Sequence, residues 1–158
     1  MDLPEILEDE IFGTLYEDED EDGRYYGDID ICGESITIGF FVEPDEYEDY
    51  CGNMFQNAHK ALNWITSNRS ALLEQAAEDL VAEYDQEKQD HPMWYEMFQK
   101  QVKRVMSSIK LIDIDFQADE GFSLTFDDGG HYWGSSVGYN YIRPDKIDEG
   151  GVYHPRGL

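Results

Sequence analysis

Residues 18–22 (DEDED) have the residue types and the spacing of a calcium-binding loop, and Gly23 follows them directly. Alternate carboxylates can converge on one hard cation, and glycine permits the sharp turn that brings them together. A complete loop of this kind would need a glutamate where the chain has Ile29, and helices where strand-like sequence flanks the run. We therefore predict no metal site and a solvated hairpin tip that blocks edge pairing. The alternative is calcium binding by Asp18, Asp20 and Asp22.

Four histidines are the other groups with the chemistry of a metal site or an acid–base catalyst: His59, His91, His131 and His154. None is spaced from a second ligand as zinc sites require, so we predict structural or surface roles for them. His131 closely follows Asp127 and Asp128, which leaves a second alternative. In that alternative the chain is an uncharacterised hydrolase with a carboxylate and histidine site near His131.

Motifs for a catalytic nucleophile or a phosphate loop are missing from the sequence. It contains no GxSxG, no Walker loop and no GxGxxG, and acidic neighbours oppose ionisation of the Cys32 thiol. Asp113 and Asp115 lie at alternate positions, which predicts an ordinary solvated strand face rather than a catalytic pair. We therefore assign no catalytic residue and no cofactor, and we favour a protein that is not an enzyme.

Acidic residues are concentrated in the first third of the chain. Of 158 residues, 36 are acidic and 11 are basic, which gives a formal net charge of −25. Residues 1–50 hold 19 of these acids and a single base, Arg24. Such a charge repels nucleic acid and anionic membranes and attracts basic proteins, and tyrosines beside acids are typical of protein contact surfaces. We predict an acidic protein-binding domain with a basic protein partner and a contact surface containing Glu17, Asp18, Asp20, Asp22, Tyr25, Tyr26, Asp28, Asp30, Tyr47 and Tyr50.

The compartment is inferred from the cysteines and from the first residues. The chain has only two cysteines, and it begins with neither the basic segment nor the apolar stretch of a signal peptide. It also lacks a run of about 20 apolar residues that could span a bilayer. We therefore predict a cytoplasmic protein with no membrane contact, while its oligomeric state stays open.

The spacing of apolar residues predicts strands at both ends of the chain and helices between them. A period of two indicates strands at 10–16, 24–32 and 35–42, and again at 109–116, 121–126 and 131–142. A period near 3.6 indicates helices around residues 54–65, 73–84 and 92–105. The tail, 143–158, has no period and is expected to be irregular. We predict a single α+β domain, 1–158. Its antiparallel sheet combines an N-terminal three-stranded meander with C-terminal strands, and two to three central helices pack on one face.

The stretch 95–142 joins a basic helix, a strand and a hairpin with the sequence FDDGGHYWGSSV. It resembles the C-terminal half of the bacterial domain of unknown function 2262 family, in Asp127-Asp128-Gly129 and in Trp133-Gly134. The histidine that follows Trp-Gly in that family is Ser135 here. The resemblance implies a bacterial immunity protein of a toxin system. With the acidic first third, it predicts an immunity or inhibitor-type protein that binds a basic partner such as a toxin.

Overall fold

The computed structural model describes residues 3–43, 47–85 and 88–154, and over these ranges it shows an α+β fold. An eight-stranded sheet and three helices make up the domain. The strands are β1 (Ile6–Asp9), β2 (Gly13–Glu17), β3 (Arg24–Ile31), β4 (Glu34–Phe41), β5 (Leu111–Phe116), β6 (Phe122–Asp127), β7 (Ser136–Arg143) and β8 (Lys146–Tyr153). The helices between β4 and β5 are α1 (Tyr47–Ser67), α2 (Arg69–Tyr84) and α3 (Trp94–Met106).

Strand order in the sheet follows chain order, from β1 at one edge to β8 at the other. Neighbouring strands are antiparallel except β4 and β5, which are parallel, with Ile38 opposite Ile114. The prediction of antiparallel pairing was therefore wrong at this one seam. The reason is the connection: three helices carry the chain back along the sheet, and a long crossover of this kind joins parallel strands.

One face of the sheet forms the core, and the helices cover it. Side chains of one parity are buried along the strands, including Leu15, Tyr25, Ile36, Ile38, Phe40, Ile114, Phe116, Phe122, Leu124 and Val137. Helix α1 packs on them with Phe55, whose ring centroid lies 5.3 Å from that of Phe40, and with Trp64, 6.0 Å from Phe122. Burying each large apolar side chain contributes about 1.5–3 kcal/mol, so this layer stabilises the fold and fixes which side chains point away from it.

The opposite face of the sheet, called the open face here, carries the alternate residues of the same strands. No described helix covers it, and its side chains are exposed or half-buried. They are mainly polar or acidic and include Ile6, Thr14, Tyr16, Tyr26, Asp28, Asp30, Thr37, Asp113, Asp115, Ser123, Thr125 and Asn140. Because successive side chains of a strand point to opposite faces, the apolar residues face the helices and the carboxylates face solvent.

The N-terminal meander has four strands where the sequence predicted three. The predicted strand 10–16 contains a turn, because the Asp9 carboxylate accepts hydrogen bonds from the backbone N–H groups of Ile11 (2.9 Å) and Phe12 (3.0 Å). The turn directs Phe12 into the core, where 3% of it is exposed, and pairs β1 with β2 as a hairpin. An aspartate that binds the N–H two residues on is a common turn device.

The C-terminal prediction was wrong in two places. Strand β7 begins at Ser136 rather than at residue 131, because the chain from 128 to 135 wraps around the carboxylate of Asp128. The tail predicted as irregular contains β8, which pairs with β7 through a tight turn that has Asp145 at a positive φ of 73°. Most β8 side chains are exposed, so they lack the apolar alternation that reveals a strand.

Candidate functional site

The acidic hairpin tip between β2 and β3 is held by its own carboxylates. Glu17 Oε2 accepts the N–H of Gly23 at 3.2 Å, and Asp18 Oδ1 accepts the N–H of Asp20 at 2.8 Å. Within the described ranges, no three His, Cys, Asp or Glu side chains are grouped so that they could hold a metal ion. The calcium alternative for Asp18, Asp20 and Asp22 therefore finds no coordinating geometry.

Beside this tip lies a concave surface of about 680 Å³, called the acidic groove here. It is lined by Glu5, Ile6, Tyr16, Glu17, Asp18, Glu19 and Asp22. Five of these residues are acids, and the other two, Ile6 and Tyr16, are 46% and 60% exposed. Carboxylates around exposed apolar and aromatic groups can both attract a basic protein and bury surface against it.

An apolar row leads from the acidic groove onto the open face. Ile6, Tyr16 and Tyr26 are direct cross-strand partners on β1, β2 and β3, so their side chains share one face. The next residue in the row is Gly39 on β4, and Asp115 on β5 follows it. A Cβ atom on Gly39 would lie 2.3 Å from an Asp115 oxygen and 3.2 Å from the Tyr26 ring. The absence of a side chain at Gly39 therefore lets Tyr26 and Asp115 approach each other.

Three carboxylates crowd the centre of the open face: those of Asp28, Asp113 and Asp115. Partial burial raises the pKa of Asp113, and the negative charges of Asp115 and Asp28 raise it further. Thr37 donates a hydrogen bond to Asp28 at 3.1 Å, and no cation within ion-pair distance balances Asp113 in the described chain. A cation supplied from outside would relieve this repulsion, which makes the site attractive to a basic group.

Arg24 shows how this surface holds a guanidinium. Its Nη1 lies 3.9 Å from Asp115 and its Nε lies 3.7 Å from Glu21. The guanidinium carbon also lies 5.8 Å from the ring centroid of Tyr26 and 5.9 Å from that of Phe41. Its Nε is buried and has no hydrogen-bond partner among the described residues. The surface thus combines carboxylates with aromatic faces, the two features that bind arginine best.

Most predicted contact residues do lie on this surface. Glu17, Asp18 and Asp22 line the acidic groove, and Asp20 is exposed at the hairpin tip. The open face carries Tyr26, Asp28 and Asp30. Tyr47 and Tyr50 fall at the start of α1, where the side chains lie outside the described part of the chain.

The assignment of Tyr25 to the contact surface was wrong. Its ring is 0% exposed, and its hydroxyl donates to the backbone oxygen of Pro4 at 2.6 Å. Alternation along β3 gives the reason, because Tyr25 has the parity of Ile29 and Ile31, which face the core. The prediction also missed Tyr16, whose exposure follows from the same parity rule once β2 is recognised.

The residues near His131 do not form the predicted carboxylate and histidine site. His131 Nε2 lies 2.7 Å from Ser108 Oγ, and in the described chain the only hydrogen bond between His131 and these two acids runs from its backbone N–H to the backbone oxygen of Asp128 (3.3 Å), not to either carboxylate. The Asp127 carboxylate accepts the N–H of Gly129, and Asp128 is buried and occupied by backbone N–H groups. Both carboxylates therefore help to hold the loop in shape.

The other histidines bind neighbouring side chains or backbone. His59 Nε2 lies 2.8 Å from Asp9 Oδ2. Burial acts to raise the pKa of Asp9, but this contact and two backbone hydrogen bonds outweigh it and lower that pKa. His154 contacts Glu83 at 3.0 Å and the Tyr84 hydroxyl at 2.8 Å, and His91 accepts the N–H of Met93. These contacts fit the structural roles that the sequence indicated.

No known protein family, curated protein or solved structure matches the chain. The resemblance of residues 95–142 to an immunity-protein family therefore stays a prediction. Among the described helices, none has the length and apolar character needed to cross a membrane.

Proposed function

We propose that this chain is a non-enzymatic protein-binding domain of the bacterial immunity or inhibitor type. It binds a basic protein partner, such as a toxin, through the acidic groove and the adjoining open face. The observation that carries the proposal is the cross-strand row of Ile6 and Tyr16, which are exposed, and Tyr26, which is half-buried. This row runs between the carboxylates of the groove and those of Asp28 and Asp115. An exposed and a half-buried tyrosine within a charged rim have the composition of an interface hot spot.

The two parts of this surface contribute in different ways. Tyr16 and Ile6 offer apolar area, which sets how slowly the partner dissociates once they are buried. The surrounding carboxylates act mainly on encounter, because long-range attraction steers a basic partner and weakens as salt is added. Binding should therefore be fast at low ionic strength and should retain a salt-resistant part that depends on the tyrosines.

The partner's contact groups should include arginine more than lysine. Arg24 is already bound between carboxylates and the rings of Tyr26 and Phe41, and an incoming guanidinium can use the same combination beside Asp113. A planar guanidinium stacks on aromatic rings and binds carboxylates through two N–H groups, whereas an ammonium does neither. The cytoplasmic location predicted from the sequence fits this proposal, since the exposed Cys32 thiol would stay reduced there.

The test compares two variants of equal net charge. The first replaces acids of the hairpin tip and groove, as Asp18→Asn, Asp20→Asn and Asp22→Asn, and adds Tyr16→Ala. The control replaces three exposed acids elsewhere, as Glu74→Gln, Glu96→Gln and Glu120→Gln. Each protein is immobilised, exposed to an extract of its source cells at about 0.15 M salt, and the retained proteins are identified.

We expect a basic protein that wild type and the control variant retain and that the groove variant loses. Calorimetry with that purified partner should then show at least about thirtyfold weaker binding by the groove variant, since a central aromatic anchor is worth about 2 kcal/mol or more. Equal retention by the two variants would mean that net charge alone attracts proteins. That outcome would overturn the proposal.

A further inference from the structure

A separate cavity of about 310 Å³ lies on the helical side of the domain, between the end of α2 and the first half of α3. Helix α3 lines it with Trp94, Phe98 and Gln101 and, a turn further on, with Arg104. These positions recur every three or four residues and so form one face of the helix. Trp94 and Phe98 are only half-buried, so part of the apolar face of α3 borders empty space rather than α2.

Tyr132 closes the cavity and is held rigidly there. Only 6% of it is exposed, its ring stacks on Tyr84 with centroids 4.6 Å apart, and its backbone N–H donates to Asp128 at 2.9 Å. Its hydroxyl oxygen accepts a hydrogen bond from Gln101 Nε2 at 3.3 Å. None of the described groups accepts the proton of this hydroxyl. The hydroxyl oxygen therefore already has Gln101 as a donor, and its own proton can still be donated to a group placed in the cavity.

The charges around the cavity favour an anion. Burial raises the pKa of Tyr132, and Asp85 and Asp128 add to the rise against the opposing effects of the Gln101 hydrogen bond and of Arg104, so the hydroxyl keeps its proton and can donate. Asp85, the acid that lines the cavity, is paired with Lys88 at 3.3 Å. Arg104 has no ion-pair partner in the part of the chain that the structure describes. Among the described residues, the Arg104 guanidinium, which has no ion-pair partner there, and the Tyr132 hydroxyl therefore border the same aromatic-walled space.

We propose that this cavity binds a small organic carboxylate with an apolar or aromatic body. The carboxylate accepts hydrogen bonds from the Tyr132 hydroxyl and from Arg104, and the body lies against Trp94 and Phe98. Charge-assisted hydrogen bonds from a buried donor and a guanidinium are the strong kind, and aromatic walls exclude water from them. The volume suits a ligand of about ten non-hydrogen atoms, given roughly 30 Å³ for each water-sized group.

This site is independent of the proposed protein-binding function. It lies among the helices, which cover the face of the sheet opposite to the open face, and it shares no lining residue with the acidic groove. Its local charge also has the opposite sign, because α3 carries basic residues while the groove is acidic. A basic protein and a small acid can therefore bind the same chain without competing.

The experiment titrates the full chain with 3-phenylpropionate and, as a neutral match of the same shape, with 3-phenylpropanamide. The Trp94 indole signal in NMR spectra reports occupancy. We expect a dissociation constant of about 1 mM or tighter for the acid, from typical binding per atom, and at least tenfold weaker binding of the amide. Tyr132→Phe, which keeps the stacked ring, and Arg104→Gln should each weaken the acid about tenfold. Lys100→Gln, an exposed change on α3 outside the cavity, should leave its affinity unchanged.

Unfolding midpoints of the variants establish that each one is folded before titration. The same phenyl and carboxylate groups are also presented at the C-terminus of the peptide Gly-Gly-Phe, to distinguish a free acid from a protein chain end. Binding of the free acid that depends on Tyr132 and Arg104 supports the proposal. Equal binding of acid and amide, indifference to Tyr132→Phe, binding of the peptide alone, or no binding at about 10 mM acid would overturn it.

Discussion

Asp128 determines the shape of the loop between β6 and β7. Its carboxylate is 4% exposed and accepts hydrogen bonds from the backbone N–H groups of Gly130, Tyr132, Gly134 and Ser135. The loop bends so tightly around it that Trp133 has a positive φ of 58°, a conformation costly for a bulky side chain. The buried carboxylate therefore offsets backbone strain and positions Tyr132 over its cavity.

We expect Asp128→Asn to lower the free energy of unfolding by about 2–3 kcal/mol. In asparagine an NH2 group replaces one of the charged acceptor oxygens of Asp128. This group is a donor and faces backbone N–H donors, so buried N–H groups of the loop lose their hydrogen-bond partner. Urea unfolding measures the change. Asp127→Asn is the control, because Asp127 is half-buried and accepts only the N–H of Gly129, so it should cost less than about 1 kcal/mol. Equal losses from the two changes would contradict this role.

Asp113 should limit stability at neutral pH. The pKa of Asp113 is raised in the folded state, which means that folding disfavours its ionised form. The free energy of unfolding therefore falls as the pH rises from the ordinary aspartate pKa to the raised pKa of the folded state. We expect Asp113→Asn to stabilise the domain by about 0.5 kcal/mol at pH 7 and low salt, the usual size of a repulsive pair on a sheet. The gain should disappear near pH 3, where the carboxyl is protonated in both states.

The same substitution links stability to binding. If the open face binds a basic partner, Asp113→Asn should weaken that complex while it stabilises the free domain. Calorimetry at pH 7 would measure the affinity, and Glu120→Gln on an exposed loop supplies a matched loss of one charge. A stabilised variant with undiminished affinity would exclude Asp113 from the contact surface.

Adjacent tyrosines show what could be predicted at single residues. Tyr25 and Tyr26 have the same type and the same acidic surroundings, yet one is buried and the other lies on the open face. The period of two along β3 contains this information, since Tyr25 shares its parity with Ile29 and Ile31. Ile6 and Tyr16 could not be assigned in this way, because the turn at Asp9 that separates their strands was not recognised.

The hairpin between β3 and β4 turns through two residues, Cys32 and Gly33, both at positive φ (52° and 84°). A turn of this kind favours asparagine before glycine, since most side chains are strained there. We expect Cys32→Asn to raise the free energy of unfolding by about 0.5–1 kcal/mol, as measured in urea. Cys32→Val should lower it, because β-branched residues tolerate positive φ worst. A loss of stability with asparagine would argue against the turn.

The sequence predicted best those strands and helices that bury a regular pattern of apolar side chains. Helices α1, α2 and α3 and strands β3 to β6 bury a regular apolar pattern, and the sequence predicted all of them. The largest error is at the start of α1, which begins at Tyr47 rather than near residue 54. Strands β1 and β8 lie at the sheet edges and bury little, so backbone pairing rather than apolar spacing defines them. The parallel pairing of β4 with β5 depends on how the three helices pack, and the spacing of apolar residues along the chain does not indicate this.

Charge governs the behaviour of the molecule as a whole. With a formal charge of −25, the folded state is strained by repulsion that salt screens within about 10 Å at 0.1 M. We expect the unfolding midpoint to rise between about 0.01 and 0.3 M sodium chloride, while affinity for the basic partner falls over the same range. Scanning calorimetry and titration at matched salt measure the two trends. A midpoint that falls with salt would mean that ion pairs outweigh the repulsion.

The order of the strands has a consequence for anything attached to this domain. Eight strands in chain order place β1, beside the acidic groove, and β8 at opposite edges of the sheet. Seven interstrand spacings of about 4.8 Å separate these edges by roughly 33 Å. A partner held at the groove is thus kept this far from any label, tether or second domain joined after β8. The sheet then acts as a rigid spacer, so a group joined after β8 is attached at the edge of the sheet opposite to the acidic groove.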